Sequence, residues 1–158
     1  MYVSEQDFQK VKLEVVESLN GIDSLFLKQE EVLKSLVEGD NIFLMSPTNS
    51  GKSLPPLILP LVCLKLREIG YNFQEKPRVL FVTALNSIQR SLVTSASALG
   101  ISSVVITSEN IAEVMDADVP VLFVGPEVLK KASVSEVLLN HRTEFICKVI
   151  DEAHLGEL

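Results

Sequence analysis

A chain of 158 residues, 47% hydrophobic and 22% charged, is long enough for one domain that buries about two-thirds of its unfolded surface. It is too apolar to remain disordered. The net charge of −7 excludes a basic surface spread over the whole domain, though not a local basic groove. The apolar run from Leu54 to Leu64 is interrupted by Pro55, Pro56 and Pro60, and falls short of the roughly 20 residues that cross a membrane. No apolar h-region opens the N-terminus, where Glu5, Asp7 and Glu14 alternate with lysines, so an intracellular protein without membrane contact is expected. The two cysteines, Cys63 and Cys147, sit in apolar stretches without metal-ligand spacing and read as small buried hydrophobes.

In chain order, Phe8, Val11, Val15 and Leu19 recur at helical spacing, with Ser4 placed to cap the first turn, so the pattern predicts a helix over 4–19. Asn20-Gly21 closes it. Val32, Leu33 and Leu36 mark a second amphipathic helix over 27–37, with Gly39 past its end. Residues 41–45 are a short apolar strand that runs directly into Ser46-Pro-Thr-Asn-Ser-Gly-Lys-Ser53. Four further apolar runs, 79–82, 103–106, 121–124 and 147–150, read as buried strands, mostly separated by helical segments. Strands apolar on both sides that alternate with helices predict an α/β fold, a mostly parallel sheet covered by helices on both faces.

Two segments carry chemistry. Ser46 to Ser53 has the form of a phosphate-binding loop, with Gly51-Lys52-Ser53 intact and Ser46 where the usual pattern has glycine. Strand before and helix after is the required context. Backbone N–H groups at the helix start, from Thr48, Asn49 and Ser50 onward, favour a polyphosphate, aided by the helix dipole. Gly51 lets the backbone approach closely, and Asn49 tolerates left-handed geometry. Lys52 would reach the β and γ phosphates of ATP, and Ser53 would offer its hydroxyl to magnesium. The second segment, Asp151-Glu152-Ala153-His154, follows an apolar strand, and ligands of open α/β sheets bind outside the carboxyl ends of strands. Asp151 would hold magnesium through water, and Glu152 would orient and deprotonate an attacking water.

Together these segments resemble the superfamily 2 helicases, most closely the RecQ-type ATP-dependent DNA helicases, over about residues 25–154. The resemblance implies a RecA-like lobe whose catalytic residues are Lys52, Asp151 and Glu152, with ATP and magnesium as cofactors. Leu25-Phe-Leu-Lys-Gln29, followed by Gly39-Asp40 and the phosphate loop, is similar to the family's adenine-recognition segment, in which Gln29 would read the base edge. Residues 82–88, with Thr83, Asn86 and Ser87, look like the segment that touches the nucleic-acid backbone. Ser108, in 107–109, and Pro126, in the Pro126-Glu127 turn, resemble further contacts of that kind. The sequence departs from the family at Phe26, where an arginine is usual, at Ala84, where proline is usual, and at Ser91-Leu92, near which an Asp-Gln pair is usual.

The implied partner is nucleic acid, single-stranded DNA foremost, and the implied location in a eukaryote is the nucleus. Residues 1–24 would form an N-terminal helical extension and 25–158 a partial ATP-binding lobe, incomplete at its C-terminus. The strand expected after the acidic box and the second RecA-like lobe, which brings arginines to the γ-phosphate, are missing from these residues. Such a chain is expected to bind ATP but not to unwind. The alternative is a non-catalytic nucleotide-binding or protein-interaction module that meets a partner through unpaired strands. A small nucleotide kinase fits less well, because no arginine-rich lid is present.

Overall fold

The structure, a computed structural model, describes residues 2–39, 54–83 and 87–150, with backbone alone at Ser87 and Ile88. The expected strand at 41–45 lies outside these residues.

Helix α1 (Glu5–Ser18) is capped as its sequence predicts: Ser4 Oγ accepts from the Asp7 N–H at 3.2 Å. Phe8, Val11, Val15 and Val16 form its buried stripe. Helix α2 (Leu27–Val37) buries Gln29, Leu33, Leu36 and Val37 and is followed by Gly39 at φ +92°, a conformation that glycine adopts without a Cβ penalty. Helix α3 (Leu54–Glu68) is built from the proline-interrupted run. Pro55 and Pro56 sit in its first turn, where backbone N–H groups have no intrahelical acceptor, so nothing is lost there. Pro60 lies inside the helix and offers no donor to the carbonyl four residues back. Burial of Leu57, Ile58, Leu59, Val62 and Leu66 at 0–1% exposure offsets that loss at about 1.5–3 kcal/mol per large apolar side chain.

The remainder alternates strand and helix: β1 (Arg78–Val82), α4 (Ser87–Leu99), β2 (Ser103–Val105), α5 (Ile111–Asp116), β3 (Val121–Val124), α6 (Pro126–Leu129), α7 (Ala132–Asn140), a 3₁₀ turn (Arg142–Glu144) and β4 (Phe145–Ile150). The four strands are all parallel, in the order β2-β3-β1-β4. Strand β4 begins two residues before the expected Cys147. Phe145 pairs with Arg78 and Cys147 with Val79, so Ile146 is an extra residue absorbed by an irregularity at that end.

Side chains alternate across the sheet and divide the core in two. Val79, Phe81, Val121 and Phe123 face a layer made by α1, α2, α3 and α4, including Phe8, Leu33, Val62 and Ala96. Leu80, Val82, Leu122 and Val124 face α5 and α7 through Ile111, Met115, Val134 and Leu138. The expected α/β class with helices on both faces is therefore the observed one. Helix α1 shares the first of these cores with α2 and α3. Among the described residues no helix is long and apolar enough to cross a membrane.

Candidate nucleotide and nucleic-acid site

Parallel strands end on one edge, and the residues that follow them converge there. Thr83 follows β1, Thr107 and Ser108 come just after β2, and Gly125-Pro126 follows β3. Asp151 is the residue after β4 in the sequence. Thr83, Ser108 and Pro126, which the sequence scatters over more than forty positions, thus belong to adjacent strand ends.

Local hydrogen bonding fixes each of these. The Thr83 N–H donates to the Val124 carbonyl at 2.9 Å, which carries the β1–β3 ladder one residue further. The Thr83 side chain is 1% exposed and its Oγ1 has no hydrogen-bond partner among the described residues, while its carbonyl accepts from buried Gln89 Nε2 at 3.4 Å. After β2, Thr107 and Asn110 close a reciprocal turn. Asn110 Oδ1 accepts from the Thr107 N–H at 2.7 Å, Thr107 Oγ1 accepts from the Asn110 N–H at 3.1 Å, and Asn110 Nδ2 donates to the Val105 carbonyl at 2.9 Å. Ser108 is half-buried within that turn. Neighbouring Glu109 is held below the usual carboxylate range by its own backbone N–H, then by Thr107 and Ser108, with Lys131 contributing from α7's start. Pro126 occupies the first turn of α6, where its missing N–H costs nothing, and Gly125 is the N-cap.

Gln29 is 8% exposed on the first turn of α2. Its Oε1 accepts from the Phe26 N–H at 2.9 Å, the half of a capping box that a residue three positions into the helix supplies. Phe26 has no acceptor with which to supply the other half.

Lys52 and Ser53, with Thr48, Asn49, Ser50 and Gly51, lie outside the described residues, as do Asn86, Asp151 and Glu152 and the side chain of Ser87. The described flank after Ser53 suits an anion. Helix α3 begins at Leu54, directly after Ser53 in sequence, with no acid in its first turn and with Lys65 and Arg67 in its last. No side-chain carboxylate of that turn competes with an anion for the positive end of the helix dipole. Strand β4 ends at Ile150, directly before Asp151 and Glu152. Among the described residues no group of three or more His, Cys, Asp or Glu could hold a metal.

Sequence reasoning overlooked Gln89 and Asn110, the buried and bonded amides that shape two of these strand ends. Asn110 had a legible signal, a threonine three residues earlier, whereas nothing in the sequence marked Gln89. Both cysteines are free; Cys63 is buried as expected, whereas Cys147 is only half-buried, and burial raises the Cys63 thiol to about 12 and the Cys147 thiol to about 11.

A four-stranded all-parallel sheet with helices on both faces is the architecture of a RecA-like lobe. Residues 27–156, most of the chain, match the DEAD/DEAH box helicase family. The chain belongs to the DEAD/DEAH box helicase family. No curated protein matches it.

Proposed function

We propose that this chain is the ATP- and nucleic-acid-binding lobe of a RecQ-like DNA helicase, in which ATP hydrolysis drives strand separation. The observation that carries the proposal is the convergence of Thr83, Ser108 and Pro126 at adjacent strand ends, with the acidic box next after β4 in sequence. Family membership supports ATP and magnesium as the cofactors. Bound ATP supplies the γ-phosphoryl group whose transfer to water powers such motors.

Lys52 would meet the β and γ phosphates, Ser53 would hold magnesium directly and Asp151 through water, and Glu152 would orient the attacking water and take its proton. Gln29 reads the adenine edge. Thr83, Asn86, Ser87, Ser108 and Pro126 position a single-stranded DNA backbone without reading its sequence. Strand separation requires a second lobe closing over the first, so these 158 residues are expected to bind ATP without unwinding. In a eukaryotic cell the protein is placed in the nucleus.

Equilibrium titration with a fluorescent ATP analogue and magnesium tests the site. Saturable binding, weakened at least tenfold by Lys52→Ala, is expected, and equal binding by the two proteins overturns the assignment. Competition between single-stranded DNA and RNA of one sequence tests the RecQ-like part, for which preference for DNA is expected.

A second reading, a protein-interaction module, draws on β4. Its six residues are all partly or fully exposed, whereas β1 and β3 are buried throughout. Among the described residues β4 has a strand on one side only, and such an edge accepts another strand. Folding that depends on a partner chain would favour this reading over the first.

A further inference from the structure

Between α1 and α2 the chain turns through Asn20-Gly21, and both residues are exposed. Gly21 stands at φ +82° with nothing within 4 Å of where a Cβ would lie, so no side chain screens its nitrogen. Among the described residues the Gly21 N–H donates to no acceptor, and the Asn20 side-chain amide makes no hydrogen bond. Asn20 is nonetheless held in place. Its backbone N–H donates to the Leu99 carbonyl at 3.3 Å, and its Nδ2 lies 3.3 Å from the position a Cβ would take at Gly100. The other described asparagines are arranged differently. After Asn72 the Phe73 N–H donates to the Tyr71 carbonyl at 3.1 Å, and after Asn140 the His141 N–H donates to the Val137 and Leu138 carbonyls at 3.2 Å. Asn110 uses both ends of its amide, Oδ1 on the Thr107 N–H and Nδ2 on the Val105 carbonyl.

A backbone nitrogen that is unscreened and unbonded can attack the carboxamide of the residue before it. We propose that Asn20 is a site of spontaneous covalent modification, at which its side chain closes onto the Gly21 nitrogen as a cyclic imide. The bond from the Gly21 nitrogen to Asn20 Cγ forms and the Cγ–Nδ2 bond breaks. Nδ2 leaves as ammonia, carrying the proton that the Gly21 nitrogen gives up. Water then opens the ring at either carbonyl, leaving aspartate at position 20 or an isoaspartyl linkage that runs through the side-chain carbonyl carbon. No oxidant and no enzyme enters the balance. Either product adds one negative charge to a chain already at −7, three residues from both Glu17 and Asp23, where like charges repel. The isoaspartyl product also lengthens the backbone between α1 and α2 by one carbon. The Asn20 N–H lies before the rearranged bond, so its tie to Leu99 survives and the slack falls on the lead into α2. None of this depends on the nucleotide reading above.

The test is incubation of the whole native chain in mildly alkaline buffer, followed by peptide mapping that separates asparaginyl, aspartyl and isoaspartyl forms. The peptide holding Asn20 is expected to convert roughly tenfold or more faster than those holding Asn72, Asn110 and Asn140, because glycine leaves the attacking nitrogen open. Both aspartyl and isoaspartyl products should appear. Asn20→Gln, whose longer side chain would have to close a larger ring, should remain unconverted at that position. The side chain is exposed, so this variant keeps the fold, and an unchanged circular dichroism spectrum and Tm confirm that. Conversion of Asn20 no faster than that of the other three overturns the proposal. So does conversion seen only in urea, which would show that the folded turn protects the amide. Aspartate with no isoaspartyl product overturns the role of the Gly21 nitrogen, since only the cyclic imide yields both.

Discussion

Arg78 is the least expected side chain of the core. At 1% exposure it opens β1, and its guanidinium donates to the Met115 carbonyl at 2.9 Å, to the Ala117 carbonyl and to Met115 Sδ at 3.2 Å. Glu144 Oε1 lies 3.6 Å from its Nε, which makes no hydrogen bond. The cation therefore ties the C-terminal carbonyls of α5, the favourable end of a helix for positive charge, to the turn before β4. Removing one partner of a buried pair leaves the other charge uncompensated. Glu144→Ala should lower stability, and Arg78→Met, which keeps much of the volume, should cost less than Arg78→Ala. Urea unfolding curves decide the order, and equal costs for the two Arg78 variants would show that charge, not volume, dominates. None of this was legible in the sequence, where an arginine before an apolar run looks like a solvated strand end. The buried Cys63 thiol was legible, and it carries a prediction too. With values pushed to about 12 and about 11, neither Cys63 nor Cys147 offers appreciable thiolate at pH 8. A disulfide reagent should label Cys63 slowly in the native chain and rapidly in urea; rapid native labelling of Cys63 would contradict the burial of α3 against the sheet.

Among the elements, α1 is held by polar contacts as well as by its apolar stripe. Tyr71 Oη donates to Asp7 Oδ2 at 2.7 Å and accepts from the Ser4 N–H at 3.2 Å. Lys12 bonds Glu30 of α2 at 2.6 Å, and Lys34 pairs with Glu5. These partners hold all three carboxyls below their usual range: Tyr71 then Ser4 for Asp7, Lys12 then Gln9 for Glu30, and Lys34 then Gln9 for Glu5. A carboxyl depressed by folding contributes stability above its unfolded value, and that contribution disappears as pH falls through the folded value. The contribution should therefore be complete at neutral pH and should fade below about 4.5, the ordinary glutamate value. Tyr71→Phe should lower Tm at pH 7 and narrow its gap from the unsubstituted chain toward pH 3. A gap independent of pH would assign Tyr71 a packing role instead. Helices α1 and α2 were readable because each repeats its apolar spacing over several turns. Helices α5, α6 and α7 span 6, 4 and 9 residues, too short for a period to declare itself against the neighbouring strands. The start of β4 was missed for another reason. Ile146 breaks the alternation because the ladder carries an extra residue there.

For the molecule as a whole, stability and function pull on different strands. Strands β1 and β3 are buried from end to end, with Phe81 and Phe123 in contact at a centroid distance of 5.1 Å. Phe81→Ala should cost about 3–5 kcal/mol, a large share of the roughly 5–15 kcal/mol of a typical domain. The candidate site, by contrast, stands where these strands stop, and its position followed from parallel topology once the apolar runs were read as strands. Which residues share an edge depended on strand order, β2-β3-β1-β4, and strand order lies in long-range pairing that local patterns do not encode. Strand β4 meets β1 on one side and no other strand among the described residues. Its backbone groups therefore divide by direction: those toward β1 are in the ladder, and those on the other side have no ladder partner among the described residues. Amide hydrogen exchange should register this as alternation, protected and unprotected N–H groups succeeding one another along 145–150, while β1 and β3 exchange only on global unfolding. If all six amides of β4 prove equally protected in the isolated chain, a further strand is seated on that edge in solution. If none is protected, β4 opens independently of β1, and the acidic pair that follows it is not held by the sheet.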